Sequence, residues 1–257
     1  MKSIGLSKSF EEDRRIIEHE LQIISQSKPT ISDLEILLKI LFINMMSVFA
    51  YSWQNLGIEC IASNQLPIKR LGYLLVANVT IPQDPIRMMV VNSMLGDLKV
   101  GDYTQVQCAL HGVSHVLTKE TVPIFIRIIM DLLASKSPPV KRLALCAMQK
   151  AFTEGTTLEK GEIAKVVLSM VCDRDPSVMA ASLPLALKLI TEDTKIFHNS
   201  NFTSILVYIL KQIFDGKLSP SFTFHTIPAP WTKVIFKCRP SIHHNAFGRF
   251  VYSRYSN

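Results

Sequence analysis

The sequence has few glycines and lacks the short motifs by which many enzymes hold phosphates or activate nucleophiles. Only 10 of its 257 residues are glycine, and it contains no P-loop, no dinucleotide-binding fingerprint and no Gly-x-Ser-x-Gly turn. Five cysteines are scattered without a Cys-x-x-Cys pair, which argues against a zinc or redox motif. We therefore expect no enzymatic activity and no cofactor.

Three small clusters of titratable residues have the composition of metal-binding or acid–base sites, but each has a simpler interpretation. The clusters are His243-His244, His111 with His115, and Asp173 with Asp175. The first has no Cys or carboxylate nearby, and the second lies on one face of a predicted helix, where surface histidines are common. The third directly precedes Pro176, as expected of a helix-entry turn. We expect no metal site at any of them.

Acidic residues are absent from the C-terminal stretch, and this absence accounts for most of the net charge of +7. Between Trp231 and Asn257 there are five basic residues and no acidic one, whereas elsewhere the remaining basic residues nearly balance 21 acidic ones. A nucleic-acid-binding protein usually carries clustered Lys and Arg on a folded surface. We therefore expect no nucleic-acid partner.

No apolar run is long enough to cross a bilayer. The longest, Ile40–Tyr51, contains Asn44 and is far shorter than the roughly 20 residues that a spanning helix needs. The N-terminus also lacks the apolar core of a secretory signal, because Phe10 is followed directly by three acidic residues. These absences lead us to expect a cytosolic protein whose cysteines are reduced and pack inside helices.

The sequence does contain an internal repeat. A small residue recurs every 36 positions inside an apolar run, at Gly72, Cys108, Ala144 and Ala180, and in two of the four frames Lys-Arg-Leu comes directly before it. A fixed period of this size is typical of helical solenoids, in which each helix pair buries its apolar face only against its neighbours. We interpret the small residue as the point where two helices approach most closely.

Helical periodicity continues to Phe214, and no strand alternation of useful length interrupts it. The predicted helices are Glu11–Ser25, Asp33–Phe49, Gln54–Ser63, Pro67–Asn78, Pro85–Leu98, Asp102–Leu117, Val122–Ala134, Pro139–Phe152, Glu159–Cys172, Pro176–Ile190 and Phe202–Phe214. Pro184 lies inside one of them and should kink it. The predicted fold class is all-α, a HEAT/armadillo-like α-solenoid over residues 9–214.

The pattern changes after Phe214. A loop with three prolines leads to Trp231, and from Phe236 onward the apolar helical period does not resume. We therefore predict two regions: a partial solenoid over residues 9–231, and an irregular, basic, disordered tail over residues 232–257 that does not complete it.

Several runs of residues are specific enough to suggest a family. They are Lys69-Arg-Leu-Gly-Tyr-Leu74, Cys172-Asp-Arg-Asp-Pro-Ser-Val178, Ile209-Leu-Lys-Gln-Ile-Phe-Asp-Gly-Lys-Leu218 and His225-Thr-Ile-Pro-Ala-Pro-Trp231, together with a charged first helix from Glu11 to Leu21. These runs resemble the N-terminal trunk of the adaptin large subunits and, among these, the epsilon type. The resemblance covers about residues 8–231.

The resemblance implies part of a large subunit of a heterotetrameric coat adaptor, with a second large chain, a medium chain and a small chain as partners. It also implies recruitment to cytosolic membrane faces by a small GTPase in its GTP form, and a role in cargo selection and vesicle-mediated protein transport. For the epsilon type the implied location is the trans-Golgi network. An arginine that binds cargo signals in some members aligns with Gly5, so that role is not carried over.

By the same analogy, the first helix and two later helices carry partner or membrane contacts. The candidate contact residues are Lys8, Arg14, Arg15, Leu71 and Val106. The alternative for the basic residues is that the acidic run Glu11–Asp13 neutralises them locally. For the whole chain, the alternatives are a helical-repeat scaffold of another system, such as nuclear transport, and a non-functional truncated adaptin fragment.

Overall fold

The computed structural model describes residues 6–27, 29–46, 53–79, 86–193, 195–197, 200–230 and 232–233. Helices and the turns between them account for most of this part of the chain. The helices are α1 (Phe10–Ser27), α2 (Leu34–Met45), α3 (Gln54–Ala62), α4 (Leu66–Val79), α5 (Ile86–Val100), α6 (Tyr103–Val116), α7 (Val122–Leu133), α8 (Pro138–Glu154), α9 (Lys160–Val171), α10 (Pro176–Glu192) and α11 (Phe202–Phe214). Strands β1 (Thr223–Phe224) and β2 (Ile227–Pro228) follow as a short antiparallel hairpin.

Local sequence signals explain where several helices begin. At α6, Asp102 Oδ1 accepts hydrogen bonds from the backbone amides of Thr104 and Gln105 at 3.0 and 2.8 Å, and the Gln105 side chain accepts one from the Asp102 amide. This reciprocal capping box satisfies amides that have no partner within the helix. Pro138 and Pro176 stand at the first positions of α8 and α10, where the fixed φ of proline suits the first turn.

The chain divides between Ile128 and Ile129, within α7, into two compact units. In the N-terminal unit, α3 packs against α4 and α5 against α6, and α4 also contacts α2 and α6. The second helix of each pair thus stacks on its counterpart. Buried side chains from α1, α2, α3 and α4 form one apolar cluster that includes Ile17, Leu37, Cys60 and Leu75.

Gly72 marks a close helix crossing, as the repeat predicts. A Cβ atom at this position would lie 2.6 Å from the backbone nitrogen of Ile61 and 2.8 Å from Cβ of Cys60, both on α3. Such distances are shorter than van der Waals contact allows, so only glycine lets α4 approach α3 this closely. Gly112 on α6 is also crowded, but by side chains: a Cβ there would lie 2.6 Å from Cε of Met94 and 2.9 Å from the Tyr73 ring.

In the C-terminal unit, α10 packs against both α8 and α9. Ala144 on α8 is fully buried, and Leu185 and Leu189 on α10 are buried with it in the core of this unit. Lys141 on α8 donates a hydrogen bond of 2.7 Å from Nζ to Asp173 in the α9–α10 turn. Partial burial opposes ionisation of Asp173, but the hydrogen bonds and charge of Lys141 outweigh it and hold the pKa of this carboxyl below its usual range.

The structure differs from the sequence-based predictions in three details. Helix α2 ends at Met45 rather than continuing to Phe49, and residues 47–50 lie outside the described part. The hairpin β1–β2 was not expected, because two-residue strands are too short to show alternation. Cys146 and Cys172 are exposed rather than packed inside helices, whereas Cys60 is buried. The predicted tail falls, apart from residues 232 and 233, outside the described residues.

Candidate partner-binding surface

An open groove of about 610 Å³ runs across α2, α4 and α6 in the N-terminal unit. We refer to it as the α2–α4–α6 groove. Its walls are largely apolar, with Leu34 and Leu38 from α2 and Leu74 from α4, and its polar side chains include Arg70 and His111. Grooves of this size and composition suit a helix or an extended segment of a partner protein better than a small polar ligand.

The outward face of α2 extends the apolar surface of this groove. Leu34, Leu38, Phe42 and Met45 follow one another at intervals of four, four and three residues, and their exposures are 42, 49, 36 and 67%. Residues at this spacing lie on one face of a helix. The nearly buried Leu41 lines the groove on the same side, whereas Leu37, Ile40 and Ile43 are buried in the core. Since α2 is apolar on both faces, its outward face has the character of a protein interface.

Lys69, Asp97 and Tyr73 hold α4 against α5 beside this groove. Lys69 Nζ donates to both carboxylate oxygens of Asp97, at 2.7 and 2.9 Å, and the Tyr73 hydroxyl donates to Oδ2 of the same carboxylate. Burial, together with the hydrogen bond to Asp97 and its charge, raises the pKa of Tyr73. Lys69 is thus bound to Asp97 and does not line the groove. Of the Lys-Arg pair, only Arg70 lines it.

The three predicted basic contact residues lie on or just before α1, and all are exposed. Arg14 Nε is 2.9 Å from Glu18 Oε1, so this arginine is paired within its own helix. The backbone amide of Lys8 donates to Glu12. None of Lys8, Arg14 and Arg15 lines the α2–α4–α6 groove. Partner or membrane contact by these residues stays a prediction.

Leu71 and Val106 are buried, with exposures of 7 and 6%. Leu71 lies at the bottom of the groove, whereas Val106 belongs to the buried face of α6. Little of either side chain is available to a partner in this structure, and partner contact by Leu71 and Val106 stays a prediction. The sequence argument chose these two positions from the repeat, and in the structure both are core positions of α4 and α6.

The structure shows the surroundings of two of the titratable clusters that the sequence singles out. Asp175 caps α10 by accepting a hydrogen bond of 2.8 Å from the Ser177 amide, and Asp173 is bound to Lys141. His111 lines the groove, and His115 is exposed one turn later. Across the described ranges, no group of three or more His, Cys, Asp or Glu side chains is arranged to hold a metal ion. His243-His244 lies outside those ranges.

A comparison with known protein families identifies the family to which this chain belongs. Residues 13–236 match the family described as the adaptin N-terminal region, which is most of the chain. The chain belongs to the adaptin family. Across the residues that the structure describes, no helix has the length and apolar character required to cross a membrane.

Individual adaptins are similar over nearly the whole chain. The AP-4 complex subunit epsilon of Arabidopsis thaliana is 27% identical over 239 residues, and the AP-4 complex subunit epsilon-1 of Homo sapiens is 28% identical over 242 residues. Each alignment covers 91% of this chain but only 25% and 21%, respectively, of the relative. The chain thus spans between a fifth and a quarter of the length of these relatives.

The fold is that of an adaptin trunk. A chain of a homology model of the full-length AP-3 complex in an intermediate open conformation superposes with a TM-score of 0.63 at 21% identity, covering 88% of this chain and 38% of that one. At this identity the likeness concerns the fold alone. It confirms the predicted all-α solenoid class.

Sequence reasoning named Leu71 and the Lys-Arg pair before it, but it missed most of the residues in and beside the groove of this adaptin. Asp97 has no distinctive sequence context, and its contact with Lys69 spans 28 residues. The outward apolar face of α2 left a detectable signal, because a helix that is apolar all round is either fully buried or bound by a partner. Arg70 was visible in the repeated Lys-Arg pair, but sequence alone does not tell which of the two cations is held inside.

Proposed function

We propose that this chain acts as the N-terminal trunk segment of a large subunit in a heterotetrameric vesicle-coat adaptor complex. In this role it takes part in cargo selection and vesicle-mediated protein transport on the cytosolic face of the trans-Golgi network. The single observation that carries the proposal is the match to the adaptin N-terminal region across residues 13–236. The similarity to AP-4 epsilon subunits supports the choice of membrane.

The partners in this proposal are the small, medium and second large chains of the complex and a small GTPase in its GTP form. We assign the small chain to the α2–α4–α6 groove. The exposed row of Leu34, Leu38, Phe42 and Met45 supports this assignment, because a permanent subunit contact has an apolar centre. The function is structural, and no catalytic step is assigned to the chain.

The small-chain contact is tested by co-expressing the full chain with the small chain of an adaptor complex and measuring co-purification. The variant Leu34→Asp/Leu38→Asp places two charges on the groove wall, where we expect capture to fall by about tenfold or more. The matched control is Met88→Asp/Met89→Asp on α5, which makes the same change at two exposed methionines that do not line the groove. Unchanged capture by the groove variant, or an equal loss in the control, would contradict the assignment.

The membrane and GTPase contacts are tested separately, on α1. Reversing the charge of Lys8, Arg14 and Arg15 to Glu should weaken recruitment to anionic liposomes that carry the GTP-bound GTPase, because each basic residue near an anionic surface contributes about 1 kcal/mol. The same variant should retain the small chain, since these residues lie outside the groove. Unchanged recruitment would remove α1 from the membrane-facing surface.

A further inference from the structure

A second open groove, of about 810 Å³, lies within the C-terminal unit. Its three walls are the α9–α10 turn, one face of α11, and the segment 217–222 that follows α11. We refer to it as the α11 groove. Its volume falls within the range of about 300–1,000 Å³ that is usual for ligand-binding clefts, and it has no role in the function proposed above.

The third wall has a defined position because α11 ends in a hydrogen-bonded left-handed turn. Gly216 has a φ of +67°, and the Lys217 amide donates to the carbonyl oxygen of Gln212 at 3.0 Å. This is the bond pattern of a Schellman cap, which turns the chain sharply at a helix end. Further along, the Ala229 amide donates to the Phe222 carbonyl at 2.8 Å. The turn at Gly216 and this hydrogen bond give the segment after α11 a defined backbone path.

The α11 side of the groove is apolar at its base and aromatic at its rim. Ile205, Tyr208, Ile209 and Gln212 follow at helical spacing and line the groove together. Ile209 is 4% exposed, whereas Tyr208 is 63% exposed. Phe222 is half-buried and lines the groove from the third wall. A buried aliphatic floor with an exposed tyrosine at its edge suits a bulky apolar side chain of a bound peptide.

The charged groups around the groove leave positive charge available. The two carboxylates of the α9–α10 turn are engaged: Asp173 binds Lys141, and Asp175 caps α10. Arg174, between them, is exposed, lines the groove and has no ion-pair partner among the described residues. Lys217, on the opposite wall, is 67% exposed and lies 3.6 Å from Asp215, a weak surface pair.

We propose that the α11 groove binds an extended peptide segment of another protein, in which acidic residues flank one or two bulky apolar side chains. The apolar residue occupies the floor beside Ile209 and Phe222, and the acidic residues pair with Arg174 and Lys217 on opposite walls. Charge complementarity selects this occupant. The chain's own residues after Trp231 carry only basic charges and would meet like charge at the same rim.

Thiol protection tests the proposal on the unaltered full chain. Cys172 is exposed and lines the groove, whereas Cys146 is exposed on α8 outside it. The probe is a fluorescein-labelled twelve-residue peptide with four glutamates around a Leu-Phe pair. With saturating probe, maleimide labelling of Cys172, followed by mass spectrometry, should slow by about fivefold or more, while labelling of Cys146 stays unchanged. Equal rates at Cys172 with and without the probe would overturn the proposal.

Fluorescence anisotropy then tests the charges. Arg174→Glu/Lys217→Glu should weaken probe binding by about tenfold or more, and a probe with lysines in place of glutamates should bind the wild-type chain more weakly by a similar factor. The matched control is Lys136→Glu/Lys165→Glu, which reverses two exposed charges in the same unit outside the groove. Circular dichroism verifies that each variant is folded. The proposal would be contradicted if the glutamate and lysine probes bound equally well, or if the control variant weakened binding as much as Arg174→Glu/Lys217→Glu. Protection of Cys172 by self-association of the chain, without any probe, would also contradict it.

Discussion

At Gly72, α4 crosses α3 with no room for a side chain. Because a Cβ would lie 2.6 Å from the Ile61 nitrogen, Gly72→Ala should lower the free energy of unfolding by about 1–3 kcal/mol, the usual cost of overpacking a core. Gly96→Ala on α5 is the control: a Cβ there meets nothing within 4 Å, so the change should raise stability by about 0.5–1 kcal/mol. Urea unfolding followed by circular dichroism measures both, and a Gly72→Ala variant as stable as wild type would refute the close crossing.

The ion pair between Lys141 and Asp173 makes stability depend on acidity. The pKa of Asp173 is lower in the folded protein than in the unfolded chain, so its contribution is fully present above about pH 4 and is lost as the pH falls through the folded value. Lys141→Met should cost about 1–3 kcal/mol at pH 7, and the difference from wild type should shrink between pH 5 and pH 3. Lys165→Met, at an exposed position, should show neither effect. A cost for Lys141→Met that does not change with pH would contradict this reading.

Single positions could be interpreted from the sequence where the local geometry depends on the size of one side chain. Gly72 was predicted as a close crossing because a side chain is excluded there, and the structure confirms it. The burial of Leu71 and Val106 could not be predicted in the same way, because burial depends on which face of a helix its neighbours cover.

At the scale of elements, α10 continues through Pro184. Proline has no N–H to donate to the carbonyl four residues earlier, so Pro184→Ala should raise the free energy of unfolding by about 1–3 kcal/mol. The control is Pro176→Ala at the first position of the same helix, where proline is favourable and the change should be no more than about 0.5 kcal/mol in size. Thermal and urea unfolding test both. If Pro184→Ala destabilises the protein, the packing of α10 requires the distortion that proline causes.

All eleven described helices overlap segments that the sequence predicts, because their apolar period, caps and prolines are local signals. The β1–β2 hairpin could not be predicted, since its turn contains His225 and Thr226 at positive φ instead of the expected Asn or Gly. The two grooves were equally inaccessible to sequence analysis. Each is formed by helices whose relative placement depends on packing between distant segments.

At the scale of the whole molecule, the repeated small residues and the residues that line the grooves have different roles. The 36-residue period places a small residue on α4, α6, α8 and α10, and at Gly72 the absence of a side chain allows the close crossing with α3. The exposed apolar and basic residues of the two grooves do not follow this period, and most lie on other elements, such as Leu38 on α2, Tyr208 on α11 and Arg174 in the α9–α10 turn. They form the two proposed binding surfaces, and this separation allows variants that abolish binding while the fold is retained.

The most direct test of the central claim is affinity purification of the tagged full chain from cytosol, followed by mass spectrometric identification of the proteins that co-purify. We expect the small, medium and second large chains of one adaptor complex, with Leu34→Asp/Leu38→Asp reducing recovery of the small chain and Met88→Asp/Met89→Asp leaving it unchanged. Recovery of no adaptor chain by the folded protein, or recovery of nuclear transport factors instead, would contradict the account.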